Sequence, residues 1–423
     1  MPLPPSVIFS AISPSVLEPL RRINLQPLPM LIREDSSSES KQPIKQLPTT
    51  IIQHFADLQD PRRPSLNIQH NFQDILVIAI CAVICGADSY ASMEVFGQTK
   101  KPWFEQFLEL RNGIPSHDTF NDVFRALDTE KFEECFIAWT GSLVKKIPGV
   151  VPIDGKTLRR SHDKKNDKKA IHIVSAWSVE NSLVLGQIKT EEKSNEITAI
   201  PELLKMIDVS GCLVTIDAMG CQTKIASTVR DRNADYLLAV KDNQPNLLTA
   251  IIKSFSDQNR EEYLNHFHDY YEVKEKHHGR VEIRRCWVSS AMDLIPMQGN
   301  WQDLKSIIFL ESERTRNGET SLERRCYISS ANNSAAKNLE ATRSHWHIEN
   351  KLHWVLDVAF REDECRIRKG NGAENFSTLR KIALNLLRRE KSRKVGIKIK
   401  QMSSGWDENY LLKVLSGLID FTE

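Results

Sequence analysis

Residues 150–160 read VVPIDGKTLRR: an apolar run suited to a buried strand that reaches a carboxylate, Asp154, and passes at once into Gly, Lys and two Arg. The pattern recurs at 212–220, CLVTIDAMG, where Asp217 closes a second apolar run. Asp-Gly at 154–155 is by itself a hairpin signal, because both residue types tolerate positive φ. Asp217 is followed by Ala and Met, which are not turn formers, so the turn reading does not extend to it. If the two strands are neighbours in one sheet, their carboxylates lie side by side and offer hard oxygen ligands to a divalent cation.

Working outward, IHIVSAWSV (171–179) and LVLGQIKTE (183–191) read as two more strands. They are followed by a helix at EITAIPELLKMI (196–207), the strand of Asp217, a helix at KIASTVRDR (224–232) and a strand at YLLAVK (236–241). Three strands, helix, strand, helix, strand predicts a mixed sheet with helices on its faces, because the later alternation requires parallel crossovers. Further strand candidates, RVEIRRCWVSS, SIIFLESE and RRCYISS, fall within 243–334, read as an inserted β-rich unit. Helical periodicity returns at NLEATRSHWHIENKLHWVLDVAF (338–360), so the core runs over 148–395 with a C-terminal tail at 396–423.

Ahead of the core, 48–147 has a helical pattern, with Ser116 or Asp118 as a cap for SHDTFNDVFRALD (116–128), and reads as an all-helical domain. Residues 1–47, rich in Pro and Ser, read as a loosely ordered leader without the basic start of a secretory signal. The longest apolar stretch, ILVIAICAVICGA (75–87), has thirteen residues against the roughly 20 a membrane span needs, and predicts a buried helix. Eight Cys without any C-x-x-C pair fit reduced thiols better than a disulfide framework or zinc site.

The net charge of +2 hides two basic segments: seven Lys or Arg against two Asp over 156–169, and thirteen against five acids over 361–400. A third carboxylate candidate sits in RSHWHIENKLHW (343–354), where helical spacing puts Trp346, Glu349 and His353 near one face. His345, His347 and His353 do not share a face with ligand spacing, which argues against zinc. Trp346 and Trp354 read as helix packing in preference to base stacking.

These residues carry a resemblance. The blocks CAVICGADSY, GIPSHDTF, IDGKTLRRS, IHIVSAW, EKSNEITAIPELL, VTIDAMGCQ, ADYLLAVKDNQ and HWHIENKLHWVLDVAFREDECRIRKGN resemble the DDE-type insertion-sequence transposases, and among them the H-repeat-associated group. The resemblance implies an RNase H-like catalytic core and a catalytic, metal-binding triad of Asp154, Asp217 and Glu349. It implies two Mg²⁺ ions, with Mn²⁺ as a substitute, and cleavage of DNA at an element's ends followed by transfer of the 3′-hydroxyl strand into a target. An RNase H-like nuclease or an inactive DNA-binding remnant would share the fold.

Lys156, Arg159, Arg160, Lys241, Arg343 and His345 are the expected DNA contacts, neutralising phosphates beside the triad. Partners implied are the terminal repeats, the target duplex and a second copy of the chain in a homodimer or higher oligomer, in a bacterial cytoplasm and without a membrane. The wider group carries Tyr, Arg, Glu and Lys around its catalytic Glu; here Thr342, His345 and Leu356 stand at the other three positions.

Overall fold

Strand β1 (Val150–Thr157) lies at the centre of what the sequence led us to expect. It pairs antiparallel with β2 (His172–Ser178), which pairs with β3 (Leu183–Lys189), and on its other side it pairs parallel with β4 (Leu213–Ile216) and through it β5 (Asp235–Val240). The computed structural model describes residues 53–64, 68–144, 147–162, 168–190, 195–255, 267–277, 279–290, 292, 295 and 298–416. The expected leader at 1–47 lies outside them.

The order β3-β2-β1-β4-β5, with only β2 running against the others, is the RNase H-like core. The sheet does not stop there. β9 (Glu319–Ser329) pairs antiparallel with β5 and continues through β8 (Ser306–Arg316), β7 (Arg280–Ser289) and β6 (Phe267–His277), giving nine strands in one sheet. The stretch expected as an inserted unit is therefore an extension of the core sheet, because Leu237–Val240 finds its free edge covered by Cys326–Ser329.

Strand alternation sorts the side chains onto two faces. Val151, Ile153, Val214 and Ile216 pack into a core beneath helices α6 (Glu196–Met206), α7 (Thr223–Asp231) and α8 (Pro245–Ser254). The opposite face, with Leu237, Val288, Ile308 and Tyr327, is covered by α9 (Ala335–His347) through Ala335, Leu339 and Ala341.

The N-terminal helices are α1 (Phe72–Ile84), α2 (Tyr90–Thr99), α3 (Lys101–Phe104), α4 (His117–Ala126) and α5 (Thr129–Ser142). Ser116 caps α4, accepting from the Thr119 amide at 3.3 Å. Helix α1 is buried nearly all round, as an apolar helix too short to span a membrane must be. Among the described residues no helix is long and apolar enough to cross a membrane, and the eight Cys are thiols not joined in disulfides.

This helical region shares its core with the C-terminal part of the chain. Ile78, Phe120, Phe124 and Phe136 belong to one apolar cluster with Phe376, Leu379, Leu384 of α11 (Gly372–Arg389) and with Leu411 and Val414. Residues expected as a tail form α12 (Ile397–Trp406) and α13 (Glu408–Ser416), the latter burying Leu411 and Val414 completely. The described residues from 53 to 416 accordingly make one compact unit.

Candidate catalytic and metal-binding site

Asp154 is inside β1 and not in a turn: it faces Ser175 across the antiparallel ladder, which runs on to Thr157. The hairpin reading of Asp-Gly fails because β2 supplies hydrogen-bonding partners for three residues beyond it. Gly155 is required for another reason. A Cβ there would lie 2.2 Å from Glu196 Oε1 and 2.3 Å from His172 Nε2, two groups joined at 2.7 Å.

On the parallel side the last β1–β4 pair is Ile153 with Ile216, so Asp154 and Asp217 are the next residues of neighbouring strands. Alternation places both on the α9 face, with Thr215. Asp217 is fixed by its own turn, Oδ1 accepting from the amides of Met219 (3.1 Å) and Gly220 (3.4 Å). The KDNQ segment braces that turn, since Asn243 donates to the Ala218 carbonyl at 2.6 Å and Gln244 to that of Cys221 at 2.9 Å.

Helix α9 is pinned to the sheet two residues before Asp217, where His345 Nδ1 and Thr215 Oγ1 lie 3.0 Å apart. One turn later the helix widens into a π-helical turn, Ile348–His353, before α10 (Trp354–Phe360) resumes α geometry. Such single π turns are rare and recur at functional sites. This one delivers Glu349 and His353 to Asp154: ligand atoms of the three all lie within 4.8 Å of one another. His353 Nδ1 is 3.6 Å from Asp154 Oδ2 and 3.6 Å from Glu349 Oε2. Asp217 is not in that cluster; its carboxylate is held by its turn.

The electrostatics are those of crowded acids. Burial, the Glu349 charge and the Glu196 charge push Asp154 up to about 8. Glu349, half-exposed, is held low by the adjacent His353 imidazole. Burial also raises Asp217, with Glu196 adding to the rise and the two amides opposing it. Two hard carboxylates and an imidazole fit a divalent cation, which would relieve this repulsion.

The expected DNA contacts divide. Arg159, Arg160, Lys241 and Arg343 are exposed, Arg159 touching Asp363 at 3.1 Å and Arg343 touching Glu275 at 3.2 Å. Lys156 is not available: its side chain is 12% exposed and its ammonium is held by Asp357 (2.7 Å), Asp363 (2.8 Å) and Glu362 (3.5 Å). His345 is not a cation either, because burial lowers its pKa to about 4. Thr342 and Leu356 are buried, so these three positions serve packing in this chain. Within the basic run 361–400, Arg380, Lys381 and Lys400 are internal. Trp346 and Trp354, expected to pack, are 48% and 60% exposed, Trp346 under the Arg325 guanidinium at 5.2 Å.

Sequence reasoning missed two residues. Glu196, within the block EKSNEITAIPELL, raises both aspartates, and His353 is the i+4 partner of Glu349, a spacing that signals their meeting.

The family model described as Transposase DDE domain matches residues 145–386, and that described as DDE_Tnp_1-associated matches 52–140. The chain belongs to the DDE transposase family. It is 44% identical over 373 residues to the "H repeat-associated putative transposase YhhI" of Escherichia coli K12, covering 87% of this chain and 98% of the relative. It is 42% identical over 372 residues to the "Putative transposase YncI" of Escherichia coli O157:H7, covering 87% and 94%. A solved piggyBac transposase synaptic complex with hairpin DNA aligns at TM-score 0.42 and 10% identity, over 87% of this chain and 78% of that one.

Proposed function

We propose that this DDE transposase cuts DNA at the ends of an insertion element and joins the freed 3′-hydroxyl to target DNA, with Asp154, Asp217 and Glu349 as catalytic metal ligands. The observation that supports this most is the juxtaposition of Asp154 with Glu349 on one side and with the register position of Asp217 on the other. Divalent cations, Mg²⁺ in the cell, supply activation of the attacking oxygen and neutralisation of the leaving one when bound.

Asp154 meets Glu349 and stands at the register position beside Asp217, so it would be the ligand that could serve a cation on either side. Asp217 is oriented by its turn, and Glu349 by the His345–Thr215 clamp. In the first displacement water attacks the phosphodiester and a 3′-hydroxyl leaves; in the second that hydroxyl attacks a target phosphodiester, joining to the target's 5′-phosphate as the target strand's 3′-hydroxyl leaves. Arg159, Arg160, Lys241 and Arg343 steer the duplex through its phosphates. The enzyme acts as a homodimer or larger oligomer on DNA in the bacterial cytoplasm.

Labelled duplexes carrying the element's terminal repeats, incubated with the protein and Mg²⁺, test the proposal. Cleavage and joined product are expected. Asp154→Ala, Asp217→Ala and Glu349→Ala should each bring cleavage to background while leaving the fold and end binding intact, and a variant that cuts at the wild-type rate removes that residue from the site. Cutting without joining would make the protein a nuclease, and binding alone a remnant.

A further inference from the structure

Glu349 and Asp154 do not meet across empty space. The imidazole of His353, only 5% exposed, lies beside both, with Nδ1 3.6 Å from an oxygen of each. Its other nitrogen, Nε2, is buried without a hydrogen-bond partner. A buried histidine ordinarily satisfies at least one ring nitrogen with a close hydrogen bond. Here the nitrogen with neighbours is aimed into a pair of carboxylates at a distance longer than a normal hydrogen bond.

That distance suits ligands of one ion. With bonds near 2.1 Å, adjacent ligands on an octahedral cation stand about 3 Å apart, so each of the two His353 contacts at 3.6 Å is within a small contraction of that spacing. The helix also carries the right spacing, since Glu349 and His353 leave the same π turn.

We propose that His353 Nδ1 is a direct ligand of the cation shared by Asp154 and Glu349, and that this nitrogen biases the position towards first-row transition ions over Mg²⁺. The inference rests on the metal-binding role given above to Asp154 and Glu349. Mg²⁺ selects oxygen donors and retains water, whereas imidazole raises affinity for transition ions. The aspartate pair on the β1–β4 side has no such nitrogen in its donor set, so the two positions of the site differ in the cation they prefer.

The test uses the full chain with Mn²⁺ alone, read by pulsed electron paramagnetic resonance and by titration in competition with Mg²⁺. Wild-type protein should show ¹⁴N modulation from a coordinated imidazole. In His353→Gln the modulation should vanish and Mn²⁺ affinity should fall about 10-fold or more, with a smaller loss for Mg²⁺. Bound Mn²⁺ without nitrogen modulation in the wild-type protein overturns the assignment whether or not the variant folds, and leaves the carboxylate site standing. Modulation that survives in His353→Gln assigns the nitrogen to another residue and also overturns it. Failure of the wild-type protein to bind Mn²⁺ at all removes the metal reading of Asp154 and Glu349 together with this one.

Discussion

His345 shows how burial decides a side chain's charge even against a hydrogen bond that favours the cation. Desolvation lowers its pKa to about 4, from an ordinary 6.5, while its Nδ1 meets Thr215. Between those values the unfolded chain binds a proton at this residue and the folded chain does not. Stability from this group is therefore full above about pH 6.5 and is lost as pH falls towards 4, at up to about 1.4 kcal/mol per pH unit. His345→Gln keeps a partner for Thr215 but does not titrate. Urea unfolding at a series of pH values should show the wild-type protein losing stability faster than the variant across that window. Equal slopes would mean that His345 is charged in the fold.

At the scale of elements, the π turn Ile348–His353 sets where Glu349 and His353 point. It holds one residue more per turn than an α-helix, and Asn350 within it is exposed. Deleting Asn350 should restore α geometry, change the angular offset between Glu349 and His353 and abolish cleavage, with circular dichroism showing unchanged helix content. Retained cleavage would show that the turn is incidental. The N-terminal helices raise a second element-scale question, whether they fold alone. Their Phe120, Phe124 and Phe136 share a core with Phe376 and Leu379, and Glu133 accepts the Gln187 amide at 2.8 Å and the Thr378 hydroxyl at 3.2 Å. Residues 48–147 expressed alone should therefore lack a cooperative thermal transition. A sharp transition would restore an autonomous domain.

Across the whole molecule, a buried polar chain links these parts. Lys156 on β1 reaches Asp357 on α10 and Glu362 beyond it; Glu362 meets Ser377 (3.1 Å) and Arg380 (3.7 Å) of α11, and Lys381 of the same helix bonds Gln187 on β3. Lys156→Met would leave Glu362, 1% exposed on its side chain, and two aspartates without their shared cation. The expected loss is about 3 kcal/mol or more in chemical denaturation. Because the ammonium is already engaged, affinity for a terminal-repeat duplex below the unfolding transition should stay at the wild-type value. A selective loss of DNA binding with unchanged stability would return Lys156 to the interface.

Local pattern was enough for the order of strands and helices from 150 to 240 and for the buried α1 helix, because hydrophobic periodicity is a property of neighbouring residues. What lay beyond reach depended on partners distant in the chain. Whether Asp154 ends a strand is decided by β2, and whether 243–334 stands apart is decided by the pairing of Cys326–Ser329 with β5. Basic residues look alike in sequence, yet three carboxylates claim Lys156 while Arg160 stays exposed. The π turn that seats His353 against Asp154 has no signature in helical spacing. The sequence determined which groups could do chemistry; tertiary packing decided which are desolvated, which are already paired and which meet, since burial and charge pairing are set by three-dimensional neighbours.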